Sequence, residues 1–179
     1  MTARLRILAR GRGFSLVEVL VAVLVFSFGL LGLAGLLVLA TQSSHASYLR
    51  TQVGFLAEQM ANRMRANPQG VWAGNYDSAA YPIGGTPAAC DSAAGCSPLQ
   101  VAQRDQVVWS RQLQQFLPAG ASASIRCAQS AGLPTVSAAQ FAYRPPFSGF
   151  CSMRVTWVEA SLLRGGAAAA QTFAWTFQP

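Results

Sequence analysis

From Phe14 to Ala40 the chain is apolar on every face, with Glu18 as its one charge, and the 22 residues from Val19 to Ala40 carry none. A helix of that length crosses a bilayer. Past Ala40 the pattern changes but keeps its period. Leu49, Val53, Leu56, Met60 and Met64 recur at steps of four, three, four and four, while Gln52, Glu58, Gln59, Asn62, Arg63 and Arg65 fall mostly on other faces. No proline interrupts residues 14–66, and Asn67-Pro68 is a stop signal. The pattern predicts one helix over 14–67, roughly 80 Å long, membrane-spanning over 14–40 and amphipathic over 41–67.

The stripe on the second half of that helix requires a cover, and residues 68–179 must supply it. From Gln69 to Ser97 the composition turns to Gly, Ala, Ser, Asn, Asp, Tyr and Pro without a sustained period, which reads as a surface loop. Ser97-Pro98 then has the form of an N-cap followed by proline at the first helical position. Ala102, Asp105, Trp109, Leu113 and Phe116-Leu117 continue at helical spacing until Pro118-Ala119-Gly120 ends the helix. Three alternating segments follow. Ala121, Ala123, Ile125 and Cys127 share one face, as do Met153, Val155 and Trp157, and Phe173, Trp175 and Phe177. They predict an antiparallel sheet whose last two strands are joined by a loose hairpin through Arg164-Gly165-Gly166 and Ala167 to Ala170, while Tyr143-Arg144-Pro145-Pro146 breaks any strand before Cys151. The expected fold is α+β: a long N-terminal helix packed on a small antiparallel sheet, with one additional short helix.

Charge changes the picture by its location. The net charge is +7, yet Arg4, Arg6, Arg10 and Arg12 precede the apolar run, where the positive-inside rule places them in the cytoplasm. Without residues 1–13, nine arginines face six acids. The basic balance is therefore a topology signal before it is a nucleic-acid signal, and no specific nucleic-acid partner is expected. Cys90, Cys96, Cys127 and Cys151 all lie on the far side of the membrane segment, where an even number reads as two disulfides. Of the three pairings, Cys90–Cys96 with Cys127–Cys151 is preferred, because the first closes a short loop and leaves the strand cysteines to each other. No C-x-x-C pair occurs and His45 is the only histidine, so neither a metal site nor a Ser-His-Asp constellation is expected. No glycine-rich phosphate loop follows a strand either. The reading is of a protein without cofactor and without catalytic residues.

Glu18 is the chemical anomaly. An acid in a membrane helix carries an insertion cost of about 2.5–3.5 kcal/mol at the centre and less near the end, so a partner cation is the natural expectation. A cut between Gly13 and Phe14 creates such a cation. The new amine of Phe14 lies about one turn from Glu18, in the same chain or a neighbour's. A cleaved secretory signal is the competing interpretation, with Val38-Leu39-Ala40 resembling its cleavage site, but the apolar run is about twice the usual 7–15 residue core and contains an acid.

Arg12-Gly13-Phe14-Ser15-Leu16-Val17-Glu18 followed by an unbroken apolar helix resembles the class III signal of type IV pilins and type II secretion pseudopilins. The resemblance implies a cytoplasmic leader over 1–13, cleavage after Gly13 by a prepilin peptidase, N-methylation of Phe14 and a docking role for Glu18 in filament assembly. Arg63-Met64-Arg65-Ala66-Asn67-Pro68 and Asp105-x-x-x-Trp109-x-x-x-Leu113-x-x-x-Leu117-Pro118-Ala119-Gly120 resemble the PilV family of type IV pilus modification proteins, which are minor pilins. The partners this implies are the prepilin peptidase, other major and minor pilins, and the inner-membrane assembly platform. The implied location is a single pass through the inner membrane with the N-terminus cytoplasmic, then the pilus. A minor pseudopilin of type II secretion, and a membrane-anchored periplasmic binding module, are the alternatives. One departure stands out: Gly35 occupies a position where many major pilins have proline, so local helix melting would rely on Gly29, Gly32 and Gly35.

Overall fold

The computed structural model describes residues 13–91, 95–133, 135–137, 139–159 and 168–179. The leader through Arg12, the Ser92–Ala94 part of the first cysteine loop and the Arg164-Gly165-Gly166 hairpin tip lie outside them. The chain divides into two units, Met1–Ser44 and His45–Pro179.

In the first unit the helix α1 (Leu16–Ala66) begins, with the Val19 amide donating to the Ser15 carbonyl at 3.2 Å. Phe14 and Ser15 precede it. Every residue from Gly13 to Thr41 is exposed, and an 18-residue window reaches a mean hydropathy of 2.6, long and apolar enough to cross a membrane. Two hydroxyls in this stretch are satisfied within the helix. Ser27 Oγ donates to the Val23 carbonyl at 2.7 Å and Thr41 Oγ1 to the Val38 carbonyl at 2.8 Å, which suits a surface that lipid surrounds. The helix runs unbroken through Gly29, Gly32 and Gly35.

In the second unit, α1 buries Leu49, Val53, Leu56, Ala57, Met60, Ala61 and Met64, which contains the whole stripe expected from the sequence. This face packs on the sheet, sharing one core with Ile125, Met153, Val155, Trp157 and Phe177. The sheet is antiparallel with order β1-β2-β3-β4: β1 (Ser78–Tyr81), β2 (Ser122–Gln129), β3 (Gly149–Glu159) and β4 (Ala169–Phe177). The inward set in β3 is the expected Met153, Val155 and Trp157, at 1%, 0% and 3% exposure. At the head of β3, a Cβ on Gly149 would collide with the Ala128 carbonyl and the Phe147 ring, so a side chain is excluded there.

Three features differ from the expectation. Residues 69–97 are not all loop: α2 (Pro68–Trp72) and β1 both fall there, so the sheet has four strands, and among the described residues two α-helices and a short 3-10 helix (Gln140–Tyr143) follow α1. Asn67-Pro68 ends α1 as expected, but the same pair starts α2, with Asn67 as N-cap and Pro68 in the first turn. Finally, Ala169 and Ala170 belong to β4 rather than to the hairpin connection, opposite Glu159 and Val158. The α3 helix (Pro98–Phe116) follows its reading closely. Ser97 Oγ accepts the Gln100 amide and Gln100 Oε1 accepts the Ser97 amide, which completes a capping box.

Candidate functional site

Gly13, Phe14 and Glu18 lie at the head of the first unit. Gly13 is exposed with open space around its α-carbon, and Phe14 is 83% exposed, so the Gly13–Phe14 peptide bond is sterically accessible. Glu18 lies in the first turn of α1, where a carboxylate complements the partial positive charge of the helix N-terminus. Phe14, Glu18, Val19, Ala22, Val23 and Phe26 line a shallow apolar concavity, with Glu18 the one charged residue among them. Chemically it offers one anion on an otherwise apolar surface, suited to a single amine carried on an apolar segment.

The second unit brings together the two other segments that the sequence singled out. Asp105, an acid on an otherwise apolar helical stripe, is buried and accepts two bonds: Arg63 NH1 at 3.2 Å and the Tyr76 hydroxyl at 2.8 Å. Asn67 Nδ2 donates to the Tyr76 oxygen at 3.1 Å and to the Pro98 carbonyl at 2.8 Å, while its Oδ1 accepts the Gly70 amide. Gly70 has to be glycine here, because a Cβ would run into the Asn67 side chain. One turn along α3, Trp109 Nε1 donates to the Leu56 carbonyl at 2.8 Å. The end of α1 and the face of α3 are thus latched by charge-assisted and buried hydrogen bonds.

Tyr81 extends the latch. Its hydroxyl donates to the Tyr76 carbonyl at 2.9 Å and accepts from Gln106 Nε2 at 3.0 Å, and its ring meets Trp109 edge-on at 5.0 Å. Ser110 Oγ donates to the Gln106 carbonyl and accepts the Ile83 amide. Burial pushes the Tyr81 phenol up to about 12, with the Gln106 bond opposing and the Asp77 charge assisting. Burial raises Tyr76 further; the Asn67 bond opposes, and the Asp105 bond and charge add to the rise. Tyr76, Tyr81, Gln106 and Ser110 escaped sequence reasoning. The available signal was Asn67-Pro68, which repeats the cap-then-proline form of Ser97-Pro98 and marks a second helix start.

The cysteines meet in two bonds, Cys90–Cys96 and Cys127–Cys151, the latter between directly opposed positions of β2 and β3. Arg63 and Arg65 are engaged internally, Arg65 with Glu58 at 3.1 Å and Asn62 at 2.9 Å. Trp109 and Trp157 are buried in the core and Trp175 is half-buried, stacked on Phe177 at 4.6 Å. His45 is exposed, and among the described residues no group of His, Cys, Asp and Glu could hold a metal ion.

An exposed Gly-Phe bond, an acid one turn on, a membrane-length apolar helix and a helix-on-sheet domain are the parts of a pilin-like precursor. Residues 8–34 match the prokaryotic N-terminal methylation motif. The chain therefore carries a type IV pilin-like N-terminus, and that motif implies processing by a prepilin peptidase and pilus-type assembly. Proteins of this kind are generally structural rather than enzymatic. No curated protein and no solved structure matches the chain significantly.

Proposed function

We propose that this chain is a minor pilin of the type IV pilus modification (PilV) kind. A prepilin peptidase cuts it after Gly13, the Phe14 amine is methylated, and Glu18 docks the subunit into a pilus that it primes or modifies. The observation that carries this reading is the ordered set Gly13, Phe14 and Glu18 at the head of a helix whose residues through Thr41 are all exposed. Such a surface is compatible with lipid before assembly and with other subunits' helices afterwards. The latch joining the Arg63–Pro68 and Asp105–Gly120 segments supports the narrower PilV assignment, since it gives both a shared structural reason. The basic leader and the two disulfides support a single inner-membrane pass, with 1–13 cytoplasmic and 68–179 periplasmic.

The test is recovery in sheared filaments. The wild-type chain is expected in the pilus fraction, and Glu18→Ala is expected to be processed and membrane-inserted yet depleted from that fraction by about tenfold, one decade corresponding to about 1.4 kcal/mol of docking. Normal recovery of Glu18→Ala removes the docking role. Recovery only in a secretion filament moves the chain to the minor pseudopilins.

A further inference from the structure

The two edges of the sheet are unlike. β1 has four residues, and its register against β2 shifts between Ser78 and Tyr81, so that edge is short and irregular. β4 pairs with β3 through nine consecutive positions without a shift, from Glu159↔Ala169 to Cys151↔Phe177. Ala169–Phe177 contains no charge and no proline, which are the usual devices that keep an exposed edge from pairing. Among the described residues, no backbone hydrogen bond beyond the β3 ladder involves this strand.

The core side of the strand is also incomplete. Gln171, Phe173 and Trp175 are only half-buried, while Trp157, Val155 and Met153 opposite them are buried. A further strand beyond β4 would cover those rings and satisfy the edge amides and carbonyls together.

We propose that β4 pairs antiparallel with β4 of a second copy of this chain, joining two four-stranded sheets into one. The strand is its own complement. With a dyad through Phe173, Ala169 faces Phe177 and Gln171 faces Trp175 on the core side, and Phe173 meets its own copy. On the outer side Ala170 faces Thr176 and Thr172 faces Ala174. Each off-centre pair sets a smaller residue against a larger one, and no charge is buried. Nine residues on each side cover less than a standard interface, so the dimer is weak and concentration-dependent.

Thr172 and Ala174 are exposed, so charges there probe pairing while sparing the core. The full-length chain in detergent, followed by light scattering across a concentration series, is expected to show a monomer–dimer equilibrium. T172K/A174K sets lysines against each other twice across the dyad and is expected to weaken dimerisation about tenfold. T172K/A174D sets lysine against aspartate twice and is expected to restore it to within about threefold. Both variants lose the Thr156–Thr172 hydroxyl bond, and A174K also sets a lysine opposite Arg154, so lost pairing is separated from lost folding by thermal unfolding at concentrations where every chain is monomeric, where both variants are expected to unfold cooperatively from a folded state. A wild-type chain that stays monomeric throughout, a dimer indifferent to T172K/A174K, or a doubly charged variant that T172K/A174D fails to rescue would overturn the proposal. So would cross-linking from Thr172 in cells to another protein in place of a second copy. None of these outcomes depends on cleavage at Gly13, so this dimer and the filament reading fail separately.

Discussion

One helix serves two environments, and its two stretches show what each demands. From Leu16 to Thr41 every α1 residue is exposed, and the side chains are apolar on all faces. From Leu49 to Met64 the same helix buries one stripe against a sheet and turns Glu58, Asn62 and Arg65 outward. The second stretch is stabilised by its own chain. The first has to find cover elsewhere, and in a bilayer every polar group along it must be satisfied internally or paired. Ser27 and Thr41 meet that condition by bonding back to the helix. Glu18 has no such partner among the described residues, and a cation supplied at the N-terminus or by another chain is the physical expectation for it.

The comparison breaks most readily in the second stretch. Trp109→Ala removes the largest fully buried side chain together with its bond to the Leu56 carbonyl, and is expected to cost about 3–5 kcal/mol in thermal or urea unfolding. Membrane insertion should be unaffected. Asp105→Ala leaves Arg63 and the Tyr76 hydroxyl without their acceptor. Because Arg63 stays 29% exposed and recovers some hydration, the expected loss is about 2–3 kcal/mol rather than that of a fully buried pair, with Asp105→Asn recovering part of it.

Tyr76→Phe deletes the oxygen between Asn67 and Asp105 and should cost about 1–2 kcal/mol by the same measurement. The buried tyrosines also set an alkaline limit. A phenol whose folded pKa is raised contributes stability that is complete below its unfolded value and is lost as pH rises through the folded one. For Tyr81 that window runs from near 10 to about 12. Phenolate absorbance from the core should therefore appear together with unfolding, and its appearance while the fold persists would contradict the burial. Glu18→Ala sharpens the comparison from the other side, since it should leave the unfolding midpoint where it is while changing filament recovery.

Local periodicity made most of the architecture legible. The stripe from Leu49 to Met64, the capped start of α3 at Ser97 and the inward sets of β2, β3 and β4 are each written in one short segment, and each appears in the structure. β1 was not legible. Ser78-Ala79-Ala80-Tyr81 is too short to show alternation, and its strand character comes from pairing with β2, more than 40 residues away. The latch was hidden for a related reason. Asp105 signals only that an acid sits on an apolar stripe; that Arg63 and Tyr76 answer it follows from the tertiary fold. Gly13, Phe14 and Glu18 form a pattern of adjacency along the chain, which needs no tertiary fold to be read, and the motif match over residues 8–34 spans all three; their roles in cleavage, methylation and docking belong to the proposed function.

The account's central claim is that Phe14 becomes the first residue of the working protein and that its amine answers Glu18. Intact-mass measurement of the chain from cells with an active prepilin peptidase tests this most directly. The account predicts a species lacking residues 1–13 and carrying one methyl group on the Phe14 nitrogen. A chain that keeps residues 1–13 in those cells, or one cut at another bond, would contradict it.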